Sequence, residues 1–71
     1  MITFNIFEDS GGYYRWRVVG ENGEIVATSE AYTLKQNAVA SAKRVIIFSV
    51  SAEIYDMTPS FQYEKRVHTE I

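Results

Sequence analysis

The stretch YYRWRVVGENGEI, residues 13–25, constrains the fold of this chain more than any other. Its side chains alternate in character from Tyr13 to Val19 and then meet Asn22-Gly23. Alternation with period two reads as a half-buried strand. Successive strand side chains point to opposite faces. Tyr14, Trp16 and Val18 therefore share one face, and Tyr13, Arg15, Arg17 and Val19 share the other. With Trp16 in the core, both arginines point away from it. Asn-Gly between two such runs is a strong hairpin signal and predicts a type I′ turn.

The flanking segments extend this pattern. Ile2 to Glu8 alternates, with Ile2, Phe4 and Ile6 on one side and Thr3, Asn5 and Phe7 on the other. Asp9-Ser10-Gly11-Gly12 supplies a turn, since glycine reaches positive φ without steric cost. This glycine pair lacks the spacing and the lysine of a phosphate loop. A third strand is expected from Glu24 to Thr28, and whether Ile25 or Val26 faces the core stays open. Ser29 to Tyr32 connects to a helix expected to open at Thr33, where Thr33 and Gln36 match a capping box. Leu34, Ala38, Ser41, Ala42, Val45 and Phe48 gather on one helical face. The small residues among them would let the helix lie close on a sheet. Ile47 falls nearly opposite that stripe, an apolar surplus that calls for a cover.

After the helix, Ala52 to Met57 reads as a fourth strand, which Thr58-Pro59 ends. From Ser60 to Ile71 the chain alternates again, with Phe61, Tyr63, Val67 and Ile71 along one edge. This tail is expected to form an ordered arm or added strand over the helix end or a partner chain. The expected division is residues 1–58 as the folded unit and residues 59–71 as a C-terminal extension.

At 71 residues, the chain fits one domain with a thin core. Small domains offset this with disulfides, metals or oligomerisation. There is no cysteine and a single histidine, His68, so oligomerisation is the expected device and no metal or other cofactor is expected. The net charge of −2 gives no general attraction to nucleic acid or anionic lipid. The opening MITFNIFEDS has neither a basic n-region nor a long apolar run, so a soluble cytoplasmic protein without a membrane partner is expected.

The order of three strands, a helix and a strand, carried by YYRWRVVGENGEIVATSEAYTLKQNA and AEIYDMT, resembles the YegP-like family of small proteins of unknown function. The matching residues are Tyr14, Arg15, Trp16, Arg17, Asn22, Gly23, Glu24, Ser29, Glu30, Tyr32 and Lys35, and the likeness runs over about residues 4 to 58 without a gap. The resemblance implies an α+β fold built from a β3-α-β unit. Two units would form one continuous antiparallel-type sheet and exchange their C-terminal strands, here as a strand-swapped homodimer. Ala40-Ser41-Ala42 departs from the family's Asn-Gly-Ile, and Ile46-Ile47-Phe48 from its polar helix end. The family brings no catalytic residues to transfer.

No catalytic constellation emerges from the residues themselves. His68 has no ligand or base pattern around it, and the spacing of Glu24, Glu30 and Asp56 does not require them to converge. The expectation is a non-catalytic interaction or accessory module, with itself and a possible protein as partners. The alternative is a nucleic-acid or anionic-ligand surface made by Tyr13, Arg15, Arg17 and Lys35. Against it stand the acidic balance and the nearby Glu21, Glu24 and Glu30, which are expected to pair with the arginines across strands.

Overall fold

The computed structural model describes residues 1–59 and the backbone of residues 65–67. Strands β1 (Thr3–Glu8), β2 (Tyr14–Val19) and β3 (Ile25–Thr28) form an antiparallel sheet in the order β1-β2-β3. Helix α1 (Lys35–Phe48) packs on one face of this sheet, and a single 3₁₀ turn, Ser49–Ser51, follows. Strand β4 (Ile54–Asp56) pairs antiparallel with β5 (Lys65–Val67) in a separate two-stranded sheet. The fold is thus α+β, with the expected β3-α-β order. Within the chain, β4 does not join β1–β3.

Both hairpin turns of the main sheet share one geometry. In the first, Gly12 N–H donates to Asp9 O and Asp9 N–H donates to Tyr13 O. In the second, Gly23 N–H donates to Gly20 O and Gly20 N–H donates to Glu24 O. Gly12 and Gly23 each take φ of 84°, the left-handed region that L side chains resist. This is the three-residue loop closed by a left-handed glycine bulge. The type I′ expectation is corrected: the turn centres on Glu21 and Asn22, and Gly23 serves as the bulge residue. Asn22 still contributes, accepting the Glu24 N–H at Oδ1.

The register places Phe4 opposite Val18 and Ile6 opposite Trp16. The Phe4 and Trp16 rings lie 5.3 Å apart at 45°. Trp16 faces the helix and is half-buried, as alternation dictates. Ala38, Ser41 and Ala42 are the buried residues of α1, so the small-residue stripe does bring helix and sheet together. Leu34, Val45 and Phe48, expected on that stripe, remain exposed in the protomer. Ile25 and Val26 are both exposed, and the β2–β3 register shifts at Val18/Val19.

Thr33 does not cap the helix. Leu34 occupies the cap with extended backbone (φ −117°, ψ 133°), and no side chain caps the first turn. Tyr32 explains the delay: its N–H and C=O both pair with Tyr14, which holds the chain extended along β2 up to the helix entry. Residues 65–67 form strand β5, and most of the tail expected to make an ordered arm lies outside the described residues. The apolar edge Phe61, Tyr63, Val67 and Ile71 and the residue His68 lie outside the described side chains. Among the described residues, no helix is long and apolar enough to cross a membrane.

Candidate functional site

Helix α1 covers one face of the sheet, and the opposite face carries the arginines. Asp9, at the turn between β1 and β2, organises one end of it. Its Oδ1 accepts the N–H groups of Gly11 and Tyr13, each at 2.9 Å. Its Oδ2 accepts from Arg15 Nε at 2.7 Å. The Arg15 hydrogen bond, with the two backbone amides, lowers the Asp9 pKa below the ordinary carboxylate value. Arg15 also donates through Nη1 to Ser29 O at 3.0 Å, which ties the first turn to the segment that follows β3.

Ser29 is buried and acts as a backbone substitute. Its N–H donates to Trp16 O, and its Oγ accepts Trp16 N–H at 2.9 Å and donates to Glu30 O at 2.8 Å. The chain then pairs Tyr32 with Tyr14, so two residues on this side face the single residue Arg15 on β2. Such an extra residue is a β-bulge, and the serine hydroxyl supplies the bond that the interrupted ladder lacks. Arginine pairing with Glu24 or Glu30 is therefore corrected: the carboxylate on Arg15 belongs to Asp9.

Arg17 behaves differently from Arg15. Its Cζ lies 3.8 Å from the centroid of the Phe7 ring, a cation–π contact across the β1–β2 pair. Its Nε is buried without an acceptor, and it has no ion pair among the described residues. Tyr13 is exposed at the turn end of the same face. Lys35 opens α1 and lines a groove of about 340 Å³ with Ile6, Phe7, Glu8 and Tyr14. The arginines thus occupy the open sheet face with Tyr13, while Lys35 stands at the helix start beside the first strand.

On the helix side, Ser41 joins two motif residues. Trp16 Nε1 donates to Ser41 Oγ at 3.1 Å, and the Tyr32 hydroxyl bonds to the same oxygen at 2.8 Å. Helical periodicity marks Ser41 only as a small packing residue. Among the described residues, no three His, Cys, Asp or Glu side chains gather to hold a metal ion. Asp56 instead accepts from the N–H and hydroxyl of Thr58, which lower its pKa.

The family model described as a domain of unknown function (DUF1508) matches residues 9–56. A UPF0339 protein of Agrobacterium fabrum is 34% identical over 58 residues, covering 82% of this chain and 94% of its own. A UPF0339 protein of Neisseria meningitidis serogroup B is 53% identical over 34 residues, or 48% of this chain, and the match spans 61% of the Neisseria protein. An NMR solution structure of a protein from Haloferax volcanii superposes with a TM-score of 0.70 at 34% identity, covering 78% of this chain and 93% of that one. The matched span contains the hairpin, Ser29, Tyr32 and the helix that carry the YegP-like resemblance. The chain belongs to the DUF1508 family of uncharacterised UPF0339 proteins.

Proposed function

We propose that this chain is a non-catalytic interaction module that works as a homodimer, with β4 pairing into the partner's sheet. The observation that carries this reading is the position of β4. It is an extended strand that pairs with β5 and with no strand of its own main sheet. That sheet in turn ends on open edges at β1 and β3.

Several features support the same reading. Among the described residues no large side chain is fully buried, and Leu34, Phe48 and Ile54 are each about half exposed or more. Leaving such side chains in water forfeits roughly 1.5–3 kcal/mol of burial apiece. The Cα radius of gyration is 15.3 Å, whereas a compact chain of this length has about 11 Å. The flank of α1 leaves a second groove of about 440 Å³ lined by Lys35, Gln36, Val39, Ala40 and Lys43. Its two lysines suit a strand that carries a carboxylate, as β4 of a second copy does at Asp56. The cytoplasm is the compartment this reading assumes, as expected from the sequence.

Light scattering coupled to size exclusion tests it. The reading expects twice the protomer mass of 8.1 kDa at micromolar concentration. A stable protomer-mass species at that concentration contradicts it.

A further inference from the structure

The open face of the main sheet contains one arginine that is positioned, charged and unclaimed. Arg15 on this face is neutralised by Asp9 and bonded to Ser29 O. Arg17, two residues on, has no hydrogen bond or ion pair among the described residues, and its Nε is an orphaned buried donor. The Phe7 ring beneath it lies with its centroid 3.8 Å from the guanidinium carbon but accepts none of the guanidinium's in-plane hydrogen bonds. In the ladder, Arg17 stands between Asn5 on β1 and Thr28 on β3, both neutral and both able to hydrogen-bond.

The geometry points to a binding site for a single carboxylate, carried on an acidic peptide segment of a partner protein, with Arg17 as its anchor and Phe7 as the platform. A guanidinium presents a planar fork that matches a carboxylate with two parallel N–H donors. Stacking on Phe7 fixes that fork in advance, so less conformational freedom is lost on binding. Asn5 and Thr28 flank the fork with further polar groups. With Arg15 neutralised, Arg17 is left as the unpaired arginine of the pair, which suits one anionic group. Non-specific nucleic-acid binding instead draws on many phosphate contacts and is opposed by the net charge of −2. A sheet face open to solvent offers a small free acid little beyond the ion pair, whereas a peptide can also cover Phe7. This site lies on the sheet face opposite the helix, whereas the dimer is invoked through the sheet edges and the helix side, so the test reads the arginine resonances and not the oligomeric state.

The test follows the Nε–Hε resonances of Arg15 and Arg17 by NMR on the full chain, assigned with Arg15→Lys and Arg17→Lys. The titrants are acetyl-Ala-Glu-Ala-amide, its glutamine twin, sodium acetate and a thymidine oligonucleotide, all at ionic strength matched with sodium chloride. The Glu peptide is expected to move the Arg17 resonance saturably, with half-saturation at least threefold below that of acetate. The Arg15 resonance should stay within the chloride control, and the glutamine twin should have no effect. Phe7→Leu, which keeps an apolar residue but removes the platform, should raise the half-saturation at least threefold. The proposal is overturned if the Glu peptide matches its glutamine twin, if acetate binds as well as the peptide, or if the oligonucleotide saturates Arg17 at the lowest concentration.

Discussion

Trp16 Nε1 and Ser41 Oγ meet at 3.1 Å across the interface between sheet and helix, and the Tyr32 hydroxyl reaches the same oxygen at 2.8 Å. One helical hydroxyl thereby satisfies two aromatic side chains that also make up the apolar face of the sheet. Ser41→Ala leaves the indole N–H and the phenol without this partner. A loss of about 1–3 kcal/mol is expected, as for other stranded buried polar groups. Urea unfolding should show a lower midpoint with unchanged slope. An unchanged midpoint means that water replaces Ser41 at no cost.

The two faces of β2 should respond unequally to truncation. Trp16 packs on Phe4 beneath the helix, so Trp16→Ala is expected to cost about 3–5 kcal/mol. Arg17→Ala removes a contact of only about 0.5–1 kcal/mol and also relieves an orphaned donor. Equal losses by chemical denaturation would contradict the assignment of faces.

Gly23 has φ of 84°, and nothing lies within 4 Å of a Cβ built there. Any cost of Gly23→Ala is therefore conformational, about 1–2 kcal/mol for a left-handed L-residue. Gly23→Asn should cost less, because asparagine tolerates that region. If alanine and asparagine destabilise equally, the backbone account of this turn is wrong.

Acid should loosen the first hairpin. Asp9 has a lowered pKa, first because Arg15 donates to it and then because the Tyr13 and Gly11 amides do. Its contribution is fully present above the unfolded carboxylate value near 3.8 and is lost as pH falls through the lower folded value. Asp9→Asn should destabilise the protein at neutral pH and flatten the acid limb of its stability curve. The limb should not vanish, since Asp56 is also shifted downward. A variant whose acid limb matches the parent's removes Asp9 from that role.

Much of this architecture is legible in the residues because period-two alternation is a local signal. Trp16 and the arginines fall on the expected faces, and Ala38, Ser41 and Ala42 are the buried helical residues as anticipated. The misreadings arise where nonlocal bonds override local preference. Thr33 has good capping chemistry, yet Tyr32 is held extended by Tyr14 and the helix starts only at Lys35. Asn22-Gly23 marks the turn but not its type, which Gly20 decides by accepting from Gly23. Asp9 as the partner of Arg15 depends on the bulge at Gly12 and on the detour at Ser29, neither of which follows from spacing. The polar role of Ser41 depends on side chains from two distant segments, which helical periodicity alone does not register.

The homodimer with exchanged β4 is tested most directly by isotope-filtered NMR on a mixture of ¹³C-labelled and unlabelled chains. Contacts observed between the two labels arise only between protomers. The account predicts intermolecular contacts from Ile54 and Tyr55 of one chain to residues of a main-sheet edge strand of the other. Contacts from Phe48 across the same boundary are also expected. A spectrum without intermolecular contacts, from a sample shown to have protomer mass, contradicts the dimer. Intermolecular contacts that leave β4 out contradict the exchange.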